Sequence, residues 1–378
     1  MERKRNKNPW SAKDSLNELG GLAWTAGAEL VGSMIQSLGR PSGTHYLGKG
    51  KLQELMELKD EVGYDTIIFD DELSPTQQRN IENAVNVKVI DRTALILDIF
   101  AEHAHTHDGR LQVELAQAEY LLPRLAGQWQ HLERLGGGIG TRGPGETQIE
   151  TDRRLVRNRI LKLKKEIGKI QKHRELFRKR RVQQRLPSVA LIGYTNAGKS
   201  TLLNALCKAD VLVEDKLFAT LDPTTRQYML PDMRKIVISD TVGFIQKLPH
   251  TLVAAFKATL EELHYADMLM HVIDITHNNA GEQTQTVNDL LGELDLTDKP
   301  MVLVCNKIDQ LFPQGKKYNE DDAMYEIDRL GIARTADTVF ISAAYGWGFP
   351  RLVDVIGNKL SGSIAQSFNT ATSPEGPQ

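Results

Sequence analysis

The residues GYTNAGKS, Gly193 to Ser200, have the spacing G-x-x-x-x-G-K-S of a loop that binds phosphate groups. They follow an apolar run typical of a strand and open the helix-like stretch STLLNALC. Glycines at this spacing let backbone N–H groups surround a phosphate chain, and the helix N-terminus adds partial positive charge. In such a loop Lys199 reaches the outer phosphates, and Ser200 offers a hydroxyl to Mg²⁺. The stretch therefore predicts a nucleotide site.

Two further motifs indicate which nucleotide would bind. DTVG, Asp240 to Gly243, follows the apolar run KIVIS, so Asp240 could act on Mg²⁺ through water and the Gly243 amide could meet a γ-phosphate. NKID, Asn306 to Asp309, ends another apolar run. The Asp309 carboxylate can accept two hydrogen bonds from guanine N1 and N2, which adenine cannot donate. A guanine nucleotide is therefore the predicted ligand.

A fourth motif, SAA from Ser342 to Ala344, ends the last apolar run, where a backbone amide can meet guanine O6. All four motifs occur in the order that guanine-nucleotide domains use, each at the C-terminal end of a predicted strand. Ligands of doubly wound sheets bind at those strand ends. The sequence thus predicts GTP or GDP with Mg²⁺.

The stretch GIGTRG, Gly138 to Gly143, has the competing spacing G-x-G-x-x-G, which in a Rossmann oxidoreductase binds a dinucleotide. No strand-like run precedes it, and the helix-like stretch that follows is basic. The strand–turn–helix context of a dinucleotide site is therefore missing on both sides. We interpret these glycines as the tip of a helical element, with Arg142 as the tip residue expected to contact RNA.

Residues 1–107 alternate between strand-like and helix-like runs, which predicts an N-terminal α/β domain with a mostly parallel sheet. The predicted strands are ELVGSMIQ, DTIIFDD and VKVIDRTALILDIF, and the predicted helices are GKLQELMELKDEVG and SPTQQRNIENAVN. Ser74 and Pro75 have the residue types of an N-cap followed by proline at the first helical position.

Residues 108–186 carry two heptad seams that flank the glycine-rich stretch, which predicts an antiparallel helical hairpin with its tip at 136–146. Pro123 falls within the first seam and is expected to kink that helix. The first seam is Leu111, Leu115, Ala118, Leu122, Leu125, Trp129 and Leu132, and the second is Val156, Ile160, Leu163, Ile167, Ile170 and Phe177.

Residues 187–362 are rich in strand-like runs separated by helical patterns, which predicts a doubly wound α/β P-loop domain with one antiparallel edge. That edge is RQYMLPDMRKIVISD, which contains a turn near Pro231 and Asp232. The remaining residues, 363–378, are small and polar and predict a disordered tail.

The formal net charge of −2 hides a strong asymmetry, because residues 152–185 carry fifteen Lys or Arg against three Asp or Glu. Such a concentration of positive charge predicts binding to RNA phosphates. A smaller basic turn, RPSGTHYLGKGK, is a second candidate RNA contact. The two cysteines, Cys207 and Cys305, lack metal-binding spacing, and no apolar run is long enough to span a bilayer. We expect a cytoplasmic monomer.

The four motifs together resemble those of GTPases of the group that contains Era, Obg and the tRNA-modifying GTPases. The stretches LFATLDPTTR, IFDDELSPTQQRN, VIDRTALILDIFA, LQVELAQAEYLLPRL and GGGIGTRGPGETQIETDRR resemble the HflX family in particular, over roughly residues 26–360. Spacing alone leaves Thr220, Thr224 and Thr225 as candidates for a second hydroxyl ligand of Mg²⁺. The resemblance selects Thr220 and implies that residues 218–222 line the nucleotide.

The predicted catalytic group is Lys199, Thr220, Asp240 and Gly243. The complete set of predicted nucleotide contacts is Gly193, Tyr194, Thr195, Asn196, Ala197, Gly198, Lys199, Ser200, Phe218, Ala219, Thr220, Leu221, Asp222, Asp240, Thr241, Val242, Gly243, Asn306, Lys307, Ile308, Asp309, Ser342, Ala343 and Ala344.

The resemblance implies hydrolysis of GTP, binding to the large ribosomal subunit and its rRNA through residues 136–185, and a role in splitting or rescuing stalled or stressed ribosomes. Phe244 stands where many small GTPases have a water-orienting Gln, so we expect slow intrinsic hydrolysis that a partner stimulates. Asn196 resembles the Asn of GTPases that use K⁺. The alternative function is an RNA-remodelling ATPase regulated by GTP, although no second phosphate-binding loop is found.

Overall fold

The computed structural model describes residues 10–125, 144–183, 186–207, 217–218, 220–249, 262–312, 319–331 and 335–371. The chain divides into two compact units, of which the first comprises residues 1–173 and 247–256 and the second residues 174–246 and 257–378. We describe each unit by itself. The predicted limits of the 108–186 domain stay a prediction.

The first unit contains a two-stranded parallel sheet, β1 (Thr66–Phe69) and β2 (Lys88–Asp91), with helices around it. These helices are α1 (Ala12–Thr25), α2 (Lys49–Val62), α3 (Pro75–Val85), α4 (Arg92–His103) and α5 (His107–Leu121). As the sequence indicates, α3 begins with Pro75 after the N-cap Ser74, which forms a reciprocal capping box with Gln77. Its buried Ile81 and Val85 pack with Phe69 and Val89 of the sheet.

Two of the strand predictions in this unit are wrong. The stretch ELVGSMIQ, residues 29–36, forms no strand and is largely exposed. Its apolar residues occur in the pairs Leu30–Val31 and Met34–Ile35 instead of alternating. No described strand lies beside it to satisfy its backbone groups, and Gly32 would weaken a strand further. The stretch VKVIDRTALILDIF is a strand only as far as Asp91, whose carboxylate then accepts a hydrogen bond from the Ala94 N–H at 2.9 Å and caps α4.

The described residues of the predicted hairpin form a packed pair of helices, α5 and α6 (Pro144–Gln183). Ion pairs of Arg159 with Glu114 at 2.6 Å and of Lys164 with Glu119 at 2.8 Å join the two helices. The residues that form their shared apolar core are Leu111, Leu115, Ala118, Leu122, Val156, Ile160, Leu163, Ile167 and Ile170. Both predicted seams therefore contribute to one core.

Helix α5 ends at Leu121, so Pro123 follows the end of this helix instead of kinking it. A proline lacks the backbone N–H that the next helical turn would need, and its ring clashes with the preceding turn. Most of the predicted tip, residues 136–143 with Arg142, lies outside the described residues, as do Trp129 and Leu132. The side chain of Phe177 also lies outside them.

The second unit is built on a six-stranded sheet with the order β4-β5-β3-β6-β7-β8. Its strands are β3 (Ser188–Gly193), β4 (Thr224–Met229), β5 (Lys235–Asp240), β6 (Met268–Asp274), β7 (Met301–Asn306) and β8 (Thr338–Phe340). Among the strands that the structure describes in this sheet, only β4 runs antiparallel to its neighbour, and the turn between β4 and β5 contains Pro231 and Asp232. The predicted doubly wound P-loop domain with one antiparallel edge is confirmed.

Two helices of the second unit, the first and the last of those given next, form a buried core with this sheet, and the helix that contains Ala323 and Ile327 packs in a second cluster with Cys305 and Phe340. They are α7 (Lys199–Cys207), α8 (Ala280–Glu293), α9 (Glu320–Arg329) and α10 (Phe349–Ala371). Because α10 continues to Ala371, the prediction of disorder from residue 363 is wrong for residues 363–371. Ile364 and Phe368 continue the helical spacing there, and the first proline after them is Pro374. No helix in the described parts of the chain has the length and apolar character needed to cross a membrane.

Candidate nucleotide-binding site

An open cleft of about 230 Å³ lies in the second unit, at the end of the sheet where β3, β5 and β7 terminate. Residues from all four sequence motifs line it. The lining residues are Thr195, Asn196, Gly198, Lys199, Ser200, Thr201, Phe218, Thr220, Thr241, Gly243, Asn306, Lys307, Asp309, Gln310, Ala343 and Ala344. The fold therefore brings together residues that are separated by up to about 150 positions in the sequence.

Fourteen of the 24 predicted contacts line the cleft. Thr201 and Gln310 line it without having been predicted. The predicted contacts that do not line it are Gly193, Tyr194, Ala197, Leu221, Asp222, Asp240, Val242, Ile308 and Ser342, and Ala219 lies outside the described residues. Several of the residues that do not line the cleft form hydrogen bonds with residues that do.

The phosphate-binding loop requires glycine at two positions for different steric reasons. A Cβ on Gly193 would lie 2.2 Å from the Val272 carbonyl oxygen, and a Cβ on Gly198 would lie 2.3 Å from Nδ2 of Asn306. Both glycines and Asn196 have positive φ values, which L side chains rarely adopt. The loop therefore curves tightly over the strand ends with its backbone close to the neighbouring motifs.

Lys199 is buried at the start of α7, and its Nζ donates to the carbonyl oxygens of Tyr194 at 2.9 Å and Gly193 at 3.3 Å. Burial lowers the pKa of Lys199 to about 8, although the nearby Asp240 carboxylate opposes this shift. Burial, reinforced by Lys199, lowers the pKa of His271 to about 4, so this strand histidine is neutral at neutral pH. The Lys199 ammonium thus sits in a poorly solvated position, where an anionic phosphate would compensate it.

Three oxygen-bearing side chains meet beside Lys199. The Ser200 Oγ lies 2.6 Å from Oδ2 of Asp240 and 2.7 Å from Oγ1 of Thr220. The other Asp240 oxygen, Oδ1, is buried and has no hydrogen-bond partner among the described residues. Burial raises the pKa of Asp240. Hard oxygen ligands with an unsatisfied buried carboxylate oxygen fit the requirements of Mg²⁺.

Thr220 and the two alternative threonines, Thr224 and Thr225, differ in their positions and contacts. Thr224 and Thr225 lie in β4, and the Thr225 hydroxyl is 3.0 Å from Oγ of Ser239. Thr220 instead lies next to Ser200. Just before it, Phe218 is almost completely buried with φ +60°, and its N–H donates to Oγ1 of Thr195 at 2.8 Å. This bond anchors the stretch that carries Thr220 to the phosphate-binding loop.

Asn306 links three of the four motifs. Its Nδ2 donates to the Ala197 carbonyl oxygen at 2.9 Å, and its Oδ1 accepts from the Ala343 N–H at 3.0 Å. The adjacent Lys307 has φ +65° and places its Nζ 2.7 Å from Oδ2 of Asp274, at the end of β6. Sequence reasoning missed Asp274, and its only signal was an acidic residue at the end of the apolar run MLMHVID.

Comparisons with protein families and with curated relatives identify the family of this chain. Residues 13–101 match the family described as GTP-binding GTPase N-terminal, residues 103–181 its Middle Region, and residues 188–307 the family 50S ribosome-binding GTPase. The GTPase HflX of Caldanaerobacter subterraneus subsp. tengcongensis is 51% identical over 329 residues, covering 86% of this chain and 76% of that protein. This chain belongs to the HflX family of GTPases.

Another HflX relative, from Escherichia coli strain K12, is 46% identical over 353 residues, covering 93% of this chain and 80% of its own length. Among solved structures, a GTP-binding protein from Sulfolobus solfataricus in complex with GDP shares 27% identity over 92% of this chain and 96% of its own, with a TM-score of 0.46. As a member of the HflX family, the protein binds guanine nucleotides and hydrolyses GTP.

Proposed function

We propose that this HflX GTPase binds the large ribosomal subunit through α6 and splits or rescues stalled or stressed ribosomes. The observation that carries the proposal is the exposed positive charge along α6, next in sequence to a region similar to the 50S ribosome-binding GTPase family. Six exposed basic side chains form no ion pair with any described residue, namely Arg154, Arg157, Lys162, Lys165, Lys169 and Lys172. Unpaired cations on one helix favour binding to RNA phosphates.

In the nucleotide site, we assign each group a role from its position. Ser200 and Thr220 would hold Mg²⁺ directly and Asp240 through water, and the ion would neutralise charge on the phosphates. Lys199 would move from the loop carbonyls to the β- and γ-phosphates. The Gly243 amide would meet the γ-phosphate. The remaining motif residues, Asn306 to Asp309 and Ser342 to Ala344, would bind guanine.

The residue after Gly243 gives a physical reason for stimulation by a partner. Phe244 is only 2% exposed and its side chain carries no hydrogen-bonding group, so it cannot orient the attacking water. The residue that follows Gly243 is Phe244 and not Gln. We therefore propose that the large subunit supplies or orders the missing water-positioning group.

We expect purified large ribosomal subunits to raise GTP turnover at least about tenfold, because groups supplied by a partner can contribute several orders of magnitude to such reactions. The measurement is steady-state phosphate release with and without subunits. The triple substitution Arg157→Gln, Lys165→Gln and Lys172→Gln should reduce the stimulation and leave the intrinsic rate unchanged.

The matched control removes the same charge elsewhere, through Lys13→Gln, Lys235→Gln and Arg351→Gln, three exposed cations outside α6. This control should keep full stimulation. Equal turnover with and without subunits would contradict the proposal that a ribosomal partner completes the site.

We also propose that K⁺ binds beside Asn196, where it would offset charge that develops between the β- and γ-phosphates. Asn196 is exposed, lines the cleft and has φ +60°. Replacing K⁺ with Na⁺ at constant ionic strength should lower GTP turnover by about tenfold, roughly the effect of one weakened charge-stabilising contact. In Asn196→Ala the two salts should give the same low rate. Equal wild-type rates in both salts would rule out this cation site.

A further inference from the structure

In the second unit, the segment that follows DTVG is joined to the phosphate-binding loop by backbone hydrogen bonds. The Phe244 N–H donates to the Gly193 carbonyl oxygen at 3.0 Å, and the Thr195 N–H donates to the Phe244 carbonyl oxygen at 2.7 Å. These two bonds make a parallel β-bridge between Tyr194 and Phe244. We call this contact the loop bridge.

One side chain extends the loop bridge by a further residue pair. The Tyr194 hydroxyl oxygen accepts a hydrogen bond from the backbone N–H of Gln246 at 2.8 Å. Tyr194 is 4% exposed, and the Phe244 and Ile245 side chains beside this segment are also buried. A backbone N–H in such surroundings depends on its acceptor, because water cannot readily replace it. The phenol therefore fixes the course of the chain after Phe244.

The loop bridge also fixes the residue that precedes Phe244. Gly243 lies so close to the phosphate-binding loop that a Cβ on it would be 2.7 Å from Cα of Thr195 and 3.0 Å from Nζ of Lys199. Gly243 and Lys199 both line the cleft, whereas Tyr194 does not. Tyr194 therefore acts on the site through the backbone and not by contact with the nucleotide.

GTP and GDP differ at the γ-phosphate, so a group that meets this phosphate separates the two ligands. We infer that Tyr194 is a positioning residue that sets the preference for GTP over GDP, because its hydroxyl holds the Gly243 amide in register with the phosphate-binding loop. The inference rests on the proposed contact between Gly243 and the γ-phosphate. It assigns Tyr194 no part in binding guanine or the inner phosphates.

Tyr194→Phe removes the hydroxyl and keeps the ring, so it tests this role with little change in packing. The dissociation constants for GDP and for the β,γ-imido analogue of GTP should be measured by calorimetry on the full chain. We expect the affinity for the analogue to fall about tenfold, the equivalent of one lost buried hydrogen bond, and the affinity for GDP to change less than about twofold. Retained GDP binding also shows that the variant is folded.

The matched control is Tyr228→Phe, which removes a tyrosine hydroxyl from β4 of the same unit and should leave both affinities unchanged. Equal loss of affinity for both ligands would mean that Tyr194 only supports the phosphate-binding loop, and it would overturn the inference. Unchanged affinities for both ligands would overturn it as well.

Gly243→Ala separates failure of the inference from failure of the proposed function on which it rests. If Gly243→Ala abolishes the preference for the analogue while Tyr194→Phe keeps it, only the role of Tyr194 is overturned. If Gly243→Ala keeps the preference, the contact between Gly243 and the γ-phosphate is wrong, and the inference falls with it. If both variants lose the preference for the analogue over GDP, the result supports both the role of the Tyr194 hydroxyl and the contact of Gly243 with the γ-phosphate.

Discussion

Asp309→Asn is expected to weaken GTP binding by at least about 100-fold, because the carboxylate charge is removed and its hydrogen bond from the guanine 2-amino group is replaced by a contact between two donors. Asp309 lines the cleft beside Asn306 and Lys307. Asn306 is held by its hydrogen bond to Ala197, and Lys307 by its ion pair with Asp274. The substituted amide can still accept from the N1–H of guanine, but its NH₂ group would face the guanine NH₂ group as a second donor. Discrimination against adenine should be lost to a similar extent.

The same substitution should raise the affinity for xanthosine triphosphate. Xanthine has a carbonyl oxygen where guanine has its 2-amino group, so an Asn side chain can donate to it while accepting from N1–H. Competition binding with GTP, ATP and xanthosine triphosphate measures the three affinities in one experiment. An exposed carboxylate of α10, Asp354, provides the matched control, and Asp354→Asn should leave all three unchanged.

The Asp309→Asn variant also distinguishes the two functions that the sequence left open. If it still hydrolyses ATP in the presence of RNA at the wild-type rate, a second nucleotide site exists and the RNA-remodelling ATPase gains support. If GTP binds to it as tightly as to the wild type, the base is not held by NKID. Under the HflX assignment, GTP turnover at low nucleotide concentration should fall together with affinity.

The sequence alone predicted those parts of the site whose functional groups all come from one short, contiguous motif. GYTNAGKS brings its own glycines, lysine and hydroxyl, and the structure shows why two of those glycines have no room for a Cβ. The contact of Thr220 with Ser200 joins two separate stretches, and it was reached only through resemblance to a family. Local spacing could not separate Thr220 from Thr225, since that choice depends on where β4 begins.

The supporting contacts were missed because they depend on which strands become neighbours. Asp274 reaches Lys307 because β6 and β7 pair in parallel with Asp274 opposite Asn306. Tyr194 reaches Gln246 because β3 and β5 end side by side. Neither partner is close in sequence, so no motif or periodicity reports the contact.

The two wrong strand predictions in the first unit are explained by the residues of each stretch. Helix α4 buries residues on most of its surface, including Leu95, Ile96, Leu97 and Ile99, so its sequence shows an apolar run without the helical period. Only the N-cap residue Asp91 signalled that the strand ends and a helix begins. In ELVGSMIQ the apolar residues occur in adjacent pairs, which do not have the period of a strand, and no described strand pairs with it.

Thr220→Ala is expected to lower the turnover of GTP by about 100-fold, because it removes a proposed ligand of Mg²⁺ and with it part of the charge stabilisation at the phosphates. The Thr220 hydroxyl is 2.7 Å from Ser200, whose own hydroxyl is 2.6 Å from Asp240, so the three oxygens can share one ion. Single-turnover phosphate release at saturating GTP and varied Mg²⁺ measures the effect. The apparent affinity for Mg²⁺ should fall with the rate.

Thr225→Ala is the matched control, because it removes the same hydroxyl from the same stretch at a position that contacts Ser239 instead of Ser200. Its rate and its Mg²⁺ dependence should stay near those of the wild type. If Thr225→Ala, and not Thr220→Ala, weakened the response to Mg²⁺, the ion would be held by the start of β4, and the assignment of Thr220 would be wrong. GDP binding should be nearly unaffected in both variants, since the inner phosphates are contacted by the phosphate-binding loop, which neither substitution alters.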